Sequence, residues 1–330
     1  MKITVIGDGA WGSALATVLL RNGHEATIWG AFPDYLAEMA ATKRNPRFLP
    51  GFDFPENIAF ESDMCKAVAG RELILLATPT QYLRKVLKGF KPCFDSRKQL
   101  ILNVAKGIEV ESWMRVGEIT ESVLGPSRYV VLSGPSHAEE VSRRVPTAVV
   151  AASDAPGAAE LVQELFMNDD FRVYTSPDPV GVELGGAVKN VMAIAAGIID
   201  GMKLGDNPKA AMMTRAIAEM SRLGVALGGR AETFSGLSGI GDLIVTCCSG
   251  HSRNRHVGEE LGRGKKLPDI LAEMGMMVAE GVTTCRGVCA LAHRAGVETP
   301  ISDQIYAMLY ENLAPEIAIR NLMTRAARPE

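Results

Sequence analysis

The stretch Lys2-Ile3-Thr4-Val5-Ile6-Gly7-Asp8-Gly9-Ala10-Trp11-Gly12, continued by an alanine- and leucine-rich segment over 13–22, decides the fold. The first five residues are mostly apolar and, after Lys2, all β-branched and predict a strand; the last segment predicts a helix. Strand, G-x-G-x-x-G and helix in this order form the context of a dinucleotide-binding turn. The first glycine permits a tight turn and the second lets a pyrophosphate approach the backbone. The third lets helix and strand pack closely, with the helix N-terminus facing the phosphates.

Outward from this turn, strand-like runs recur at 26–29, 73–77, 100–104, 129–132 and 148–152, with helical patterns between most of them, such as 80–87 and 114–124. This alternation predicts an α/β fold with an N-terminal Rossmann-type, doubly wound, mainly parallel sheet. From about Val180 strand signals stop. Helical patterns take over at 182–202, 207–227, 255–261, 268–274, 286–295 and 301–309. An all-helical C-terminal domain is expected. The prolines of Ser176-Pro177-Asp178-Pro179 place the boundary there, giving a dinucleotide-binding domain over 1–179 and a helical substrate-binding domain over 180–330. A chain of 330 residues suits two domains.

Composition narrows the function classes. The chain is 47% hydrophobic and 22% charged, enough for a sizeable core, and its net charge of −3 argues against a nucleic-acid partner. The one dense basic cluster, Lys43-Arg44-Asn45-Pro46-Arg47, reads as a solvated loop. Six cysteines form no C-x-x-C pair, so zinc spacing is absent and reduced thiols are expected. A strand from Lys2 leaves no room for a signal peptide, and the apolar run at 191–199 is too short for a bilayer. A cytoplasmic protein without stable membrane insertion is expected.

In open α/β sheets, function gathers at the carboxyl ends of strands. The segments there are Gly30-Ala31-Phe32, Thr78-Pro79-Thr80, Lys106-Gly107 and Ser133-Gly134-Pro135-Ser136-His137. Hydride transfer also needs a proton partner. Lys189, in Gly185-Gly186-Ala187-Val188-Lys189-Asn190, shares a helical face with Val182, Gly185, Gly186, Ala193, Ala196 and Asp200. Such a stripe either leaves room for a ligand beside the lysine or packs a neighbouring helix while the lysine reaches solvent. A second constellation, Gly239-Ile240-Gly241-Asp242-Leu243-Ile244-Val245-Thr246, precedes Ser252-Arg253-Asn254-Arg255. Arg, Asn and Ser at a helix start suit a phosphate, although Ser is also an ordinary N-cap.

Taken in order, the glycine turn with Trp11, Asn103-Val104-Ala105-Lys106-Gly107, Ser133-Gly134-Pro135, the Lys189 segment, Gly241-Asp242-Leu243, Ser252-Arg253-Asn254-Arg255 and Glu280-Gly281 closely resemble the bacterial NAD(P)-dependent glycerol-3-phosphate dehydrogenases. The resemblance runs to a final helix at 315–325. It implies reversible conversion of dihydroxyacetone phosphate to sn-glycerol 3-phosphate, a phospholipid precursor, with NAD or NADP and no metal. It implies Lys189 as proton donor and acceptor. It further implies Lys106, Gly134, Ser136, Asp242, Ser252, Arg253 and Asn254 at the substrate. The cofactor would meet Gly7, Gly9, Ala10, Trp11, Gly12, Ala31, Lys106, Ala138, Arg253, Val278 and Glu280. A free lysine is too basic to act as an efficient base near neutrality. Burial and Lys106 would lower its basicity and Asp242 would raise it.

One departure bears on the cofactor. NAD-selecting folds of this type place Asp or Glu about 20 residues past the glycines. Here Trp29-Gly30-Ala31-Phe32-Pro33-Asp34 carries no acid at the strand end and no base at 31 or 32. The balance leans to NAD, unless Lys43 or Arg44 folds back towards a 2′-phosphate. The rival readings are a two-domain dehydrogenase of 3-hydroxy or sugar acids, and a non-catalytic NAD(H) sensor. A homodimer is expected from the Met-rich set Met202, Met212, Met213, Met274, Met276 and Met277.

Overall fold

The computed structural model describes residues 1–327 and 329. The chain forms two compact units, one of Met1–Lys106 with Met114–Glu183 and one of Gly107–Trp113 with Leu184–Glu330.

The first unit holds ten strands: β1 (Lys2–Ile6), β2 (Glu25–Trp29), β3 (Arg44–Asn45), β4 (Leu49–Asp53), β5 (Ala59–Phe60), β6 (Leu73–Leu76), β7 (Leu100–Asn103), β8 (Arg128–Ser133), β9 (Thr147–Ala152) and β10 (Phe171–Ser176). Eight form one sheet in the order β10-β9-β8-β7-β6-β1-β2-β5. Every pairing in it is parallel except β8 with β9. The sheet is therefore doubly wound and mainly parallel, as expected.

Side-chain alternation explains why the central strands read as unbroken apolar runs. Leu73 and Leu75 of β6 pack with Ile3, Val5, Leu100 and Leu102 against the Ala10–Arg21 helix. Ile74 and Leu76 point the other way. They join Ile6 and Ile101 against the Thr80–Phe90 and Val116–Leu124 helices. Both faces are thus covered.

Four strands fall outside the sequence expectation. The basic segment forms the β3–β4 hairpin rather than a plain loop. Arg44 and Arg47 are exposed, yet Asn45 between them is fully buried. β5 pairs through only two residues at the sheet edge. β10 buries Phe171 and Val173 and exposes Arg172 and Tyr174, the half-buried alternation of an edge strand. The expectation of six reduced thiols is also corrected: Cys65 and Cys93 are joined as a disulfide. The Met64–Val68 helix and the turn after the Thr80–Phe90 helix bring their Cα atoms to 5.4 Å, within bonding range. Cys247, Cys248, Cys285 and Cys289 are free.

All regular structure described in the second unit is helical. The Pro179–Gly201 helix, which begins in the first unit, is 23 residues long and apolar enough to span a bilayer, but its apolar window is entirely buried. It is a core helix. Its Gly197 and Gly201 face Gly258 and Gly262 of the Arg253–Gly262 helix. A Cβ at Gly197 would lie 2.0 Å from the Arg255 carbonyl oxygen, and one at Gly258 would lie 2.0 Å from that of Ile194. These helices meet backbone to backbone. Glu219, buried on the Asp206–Ala226 helix, accepts from the Ile301 and Ser302 amides at 2.8 and 3.0 Å. It thereby caps the Pro300–Tyr310 helix, whose first amides lack intrahelical partners. Burial pushes its carboxyl above the usual range despite these donors. The short Ala231–Phe234 and Asp242–Cys248 helices were not anticipated.

Candidate active site

In the first unit, β1 lies between β6 and β2, so strand order reverses beside it. Ligands of open α/β sheets bind past the strand ends at such a point. Gly7 has φ +129°, and a Cβ there would lie 2.7 Å from the Ala77 carbonyl oxygen just past β6. A Cβ at Gly12 would lie 2.5 Å from the Gly7 carbonyl oxygen. Gly9 differs: its φ is −70°, and nothing lies within 4 Å of its Cβ position. Two glycines close the turn, and the middle one leaves an open backbone face at the start of the helix. That arrangement fits a pyrophosphate. Ala10 is buried at the first helical position, and Trp11 packs on the core while its indole Nε1 is buried without a partner.

Past β2, Ala31 and Phe32 are exposed, and Asp34 lies exposed in the first turn of the next helix. The Lys43 Nζ donates to the Ile58 carbonyl at 3.2 Å, and Arg44 pairs with Asp53. Past β7 and β8, three expected residues meet at one carbonyl. The Lys106 Nζ donates to the Gly134 oxygen at 3.1 Å, and the Ser136 hydroxyl donates to it at 2.9 Å. Gly134 has φ +139°, and its Cβ position lies 3.0 Å from the Val149 Cα, so only glycine fits. Ala138 is buried at the start of the following short helix.

In the second unit, Lys189 is only 6% exposed. Its Nζ donates to the Thr246 hydroxyl oxygen at 2.7 Å and lies 2.9 Å from the Asp242 Oδ1. The Thr246 hydroxyl in turn donates to the Asp242 carbonyl at 2.6 Å. The small-residue stripe therefore packs, since a Cβ at Gly185 would lie 2.6 Å from the Ser238 carbonyl oxygen, while its lysine turns inward and not to solvent. Each buried charge offsets the desolvation of the other. The sequence reading quoted Thr246 at the end of its segment but gave it no role. It stands four residues after Asp242 on the Asp242–Cys248 helix, and that spacing puts the two on one face. Burial pushes the adjacent Cys247 thiol up to about 12, so it stays a neutral thiol.

Ser252 is the N-cap of the Arg253–Gly262 helix, and its side chain accepts from the Arg255 amide. Arg253 is exposed at the first helical position. Asn254 is buried: its Nδ2 donates to Asn190 Oδ1 at 3.0 Å and its Oδ1 accepts from the Gly281 amide at 2.9 Å. It thereby ties the residue beside Lys189 to the residue beside Glu280. A Cβ at Gly281 would lie 2.4 Å from the Asn190 carbonyl oxygen, which accounts for the Glu280-Gly281 pair. Glu280 opens its own helix, and Val278 is half-buried before it. Arg255 is spent on Asp200, at 2.7 Å, where Lys209 also binds. Among the described residues, no cluster of His, Cys, Asp and Glu is suited to a metal.

Family models match both units. Residues 2–159 match the N-terminus of NAD-dependent glycerol-3-phosphate dehydrogenase, and residues 178–320 match its C-terminus. The chain belongs to the NAD-dependent glycerol-3-phosphate dehydrogenase family. A glycerol-3-phosphate dehydrogenase [NAD(P)+] of Chlorobium phaeobacteroides strain BS1 is 50% identical, over 100% of this chain and 99% of its own length. That of Citrifermentans bemidjiense is 47% identical, over 100% and 98%. The crystal structure of glycerol-3-phosphate dehydrogenase from Coxiella burnetii superposes with a TM-score of 0.94 at 38% identity, covering 98% of this chain and 99% of that one. Members of this family are oxidoreductases acting on a CH–OH group, and the cofactor is NAD or NADP.

Proposed function

We propose that the protein reversibly reduces dihydroxyacetone phosphate to sn-glycerol 3-phosphate, with Lys189 as the proton donor and acceptor. The observation that carries this reading is the buried Lys189–Asp242–Thr246 cluster, an ammonium held in place away from water. When bound, NAD(P)H supplies a hydride to the C2 carbonyl carbon. Negative charge then develops on the C2 oxygen, and the Lys189 ammonium stabilises it and hands over a proton. Asp242 and Thr246 fix the ammonium, so no reorganisation is needed as charge develops. In oxidation Lys189 takes the proton back.

The exposed Arg253 guanidinium and the helix start at Ser252 suit the substrate phosphate dianion. Asn254 positions this helix start relative to Asn190. Lys106, Gly134 and Ser136 are assigned to the substrate, with Lys106 also at the cofactor. Gly7, Gly9, Ala10, Trp11 and Gly12 would hold the pyrophosphate. Ala31, Ala138, Arg253, Val278 and Glu280 are assigned to the rest of the nucleotide. Residues 1–179 thus carry most of the dinucleotide assignments and 180–330 most of the substrate assignments.

The product fits a role in supplying glycerophospholipid synthesis in the cytoplasm. The Cys65–Cys93 bond would be an exception to the reduced thiols usual there. A homodimer is proposed on the exposed Met276 and Met277 and the half-buried Met202, Met212 and Met213; Met274 belongs to the core. The test is nicotinamide absorbance on adding dihydroxyacetone phosphate, compared with 2- and 3-oxo acids. Rapid loss with the phosphorylated ketone alone is expected. Turnover of only the oxo acids would reject the proposal.

A further inference from the structure

Asp8, between the first two glycines of the turn, is a half-buried carboxylate with no part in the proton chemistry. Its Oδ2 is buried without a hydrogen-bond partner. The group lies against Gly30, the first residue past β2. A Cβ on Gly30 would come 2.5 Å from the Asp8 Oδ2 and 2.9 Å from its Cγ. The Asp8 carboxylate thus fills the volume that a side chain at position 30 would need. Position 30 is where this fold type places the acid that hydrogen-bonds the ribose 2′-hydroxyl, about 20 residues past the glycines. The chain carries Gly30-Ala31-Phe32 there and has no acid of its own on that strand end.

The surroundings hold Asp8 in place. The buried Asn45 donates to the Asp8 carbonyl at 2.7 Å and to the Ser13 hydroxyl oxygen at 2.8 Å, which fastens the β3–β4 hairpin to the turn. The same hairpin carries Arg47, whose guanidinium lies 4.1 Å from the centre of the Tyr35 ring. Burial raises the Asp8 carboxyl, while the Arg47 charge opposes that rise.

We infer that Asp8 takes the ribose-reading role that β2 leaves unfilled, and that it selects NAD(H) over NADP(H). Once the carboxyl turns away from Gly30 to present it, the orphan carboxylate oxygen would be satisfied by a ribose 2′-hydroxyl. A 2′-phosphate would meet a like charge. The inference rests on reading the glycine turn as the dinucleotide site. It also makes Asp8 and Gly30 a coupled pair: an acid fits at position 30 only once the Asp8 side chain is removed.

Equilibrium binding of NADH and of NADPH, followed by nucleotide fluorescence, tests this on three folded proteins. These are the wild type, Asp8→Asn, and the exchange Asp8→Ala with Gly30→Asp. The wild type should bind NADH at least ten-fold more tightly than NADPH. Asp8→Asn should shrink that ratio about ten-fold or more, by loosening NADH and tightening NADPH towards Arg47. The exchange should restore the preference for NADH. A wild type that binds NADPH as tightly as NADH overturns the role of Asp8, as does an unchanged ratio in Asp8→Asn. A folded wild type that binds neither nucleotide overturns the reading of the turn itself.

Discussion

The glycines of the two units do opposite things. In the turn, Gly7 and Gly12 draw the backbone in, while the Cβ direction of Gly9 points into open space. In the helical unit, Gly197, Gly201, Gly258 and Gly262 leave no space at all, because each Cβ position lies within 2.5 Å of a facing carbonyl oxygen. One set keeps a surface bare for a ligand; the other brings two helices into backbone contact. The comparison teaches that a small residue marks close approach without saying what approaches. The Lys189 face posed this ambiguity in the sequence, and the structure resolves it by packing. The lysine itself is turned inward onto Asp242 and Thr246.

The largest effect is expected at that lysine. Lys189→Ala should lower kcat about a thousand-fold or more, in line with the loss of a general acid and of charge stabilisation. Dinucleotide binding should change little. The substitution also strands the buried Asp242 carboxylate, which costs about 3–5 kcal/mol of stability. Adding Asp242→Ala should return much of that stability and none of the turnover. Denaturant titration beside steady-state kinetics measures both, and recovery of activity in the double variant would reject Lys189 as the proton donor.

Next comes the packed set. Gly258→Ala puts a methyl 2.0 Å from the Ile194 carbonyl oxygen, which is backbone and cannot step aside. The helices must part, and a loss of about 3 kcal/mol in urea unfolding is expected. A loss under about 0.5 kcal/mol would show that the two helices are not held in backbone contact. Arg253→Ala follows. The residue is exposed and caps nothing, so stability should hold. The KM for dihydroxyacetone phosphate should rise ten-fold or more and that for the nucleotide far less, since a charged contact to phosphate is lost. An unchanged substrate KM would move the phosphate site elsewhere.

How much of this was legible follows from how local each signal is. The strand, turn and helix around Gly7–Gly12 are contiguous, so their chemistry lies on the page. The Pro179–Gly201 helix is long and apolar and equally plain. The Asp242–Cys248 helix was hidden by its approach. The Leu237–Gly241 turn before it contains Gly239, whose Cβ position is 2.0 Å from the Phe234 carbonyl oxygen five residues earlier, so glycine there lets a wide helical turn close on itself but reads in the sequence as loop. With that helix unrecognised, Thr246 had no face to share with Asp242. The Cys65–Cys93 bond and the place of Asp8 beside Gly30 depend on distances across the chain that spacing alone does not encode.

The smallest effect on stability, and the sharpest on the comparison, is expected at Gly9. Its φ of −70° suits any residue, and its Cβ direction meets nothing within 4 Å. Gly9→Ala should therefore leave unfolding free energy within about 1 kcal/mol of wild type, because this half-buried N-cap position has no side-chain cap to lose and the methyl meets no atom. The added methyl would nevertheless stand on the face kept open for the pyrophosphate. It holds the phosphates off the amides at the helix start, where their attraction depends on contact. NADH binding should weaken ten-fold or more in a protein that is otherwise as stable as before. Gly258→Ala gives the reverse pattern: stability falls first, and nucleotide affinity is retained while the fold lasts. Equal losses of stability in the two variants would mean that the turn glycine is also a packing residue. Unchanged NADH affinity in Gly9→Ala would mean that the bare face is not where the dinucleotide binds.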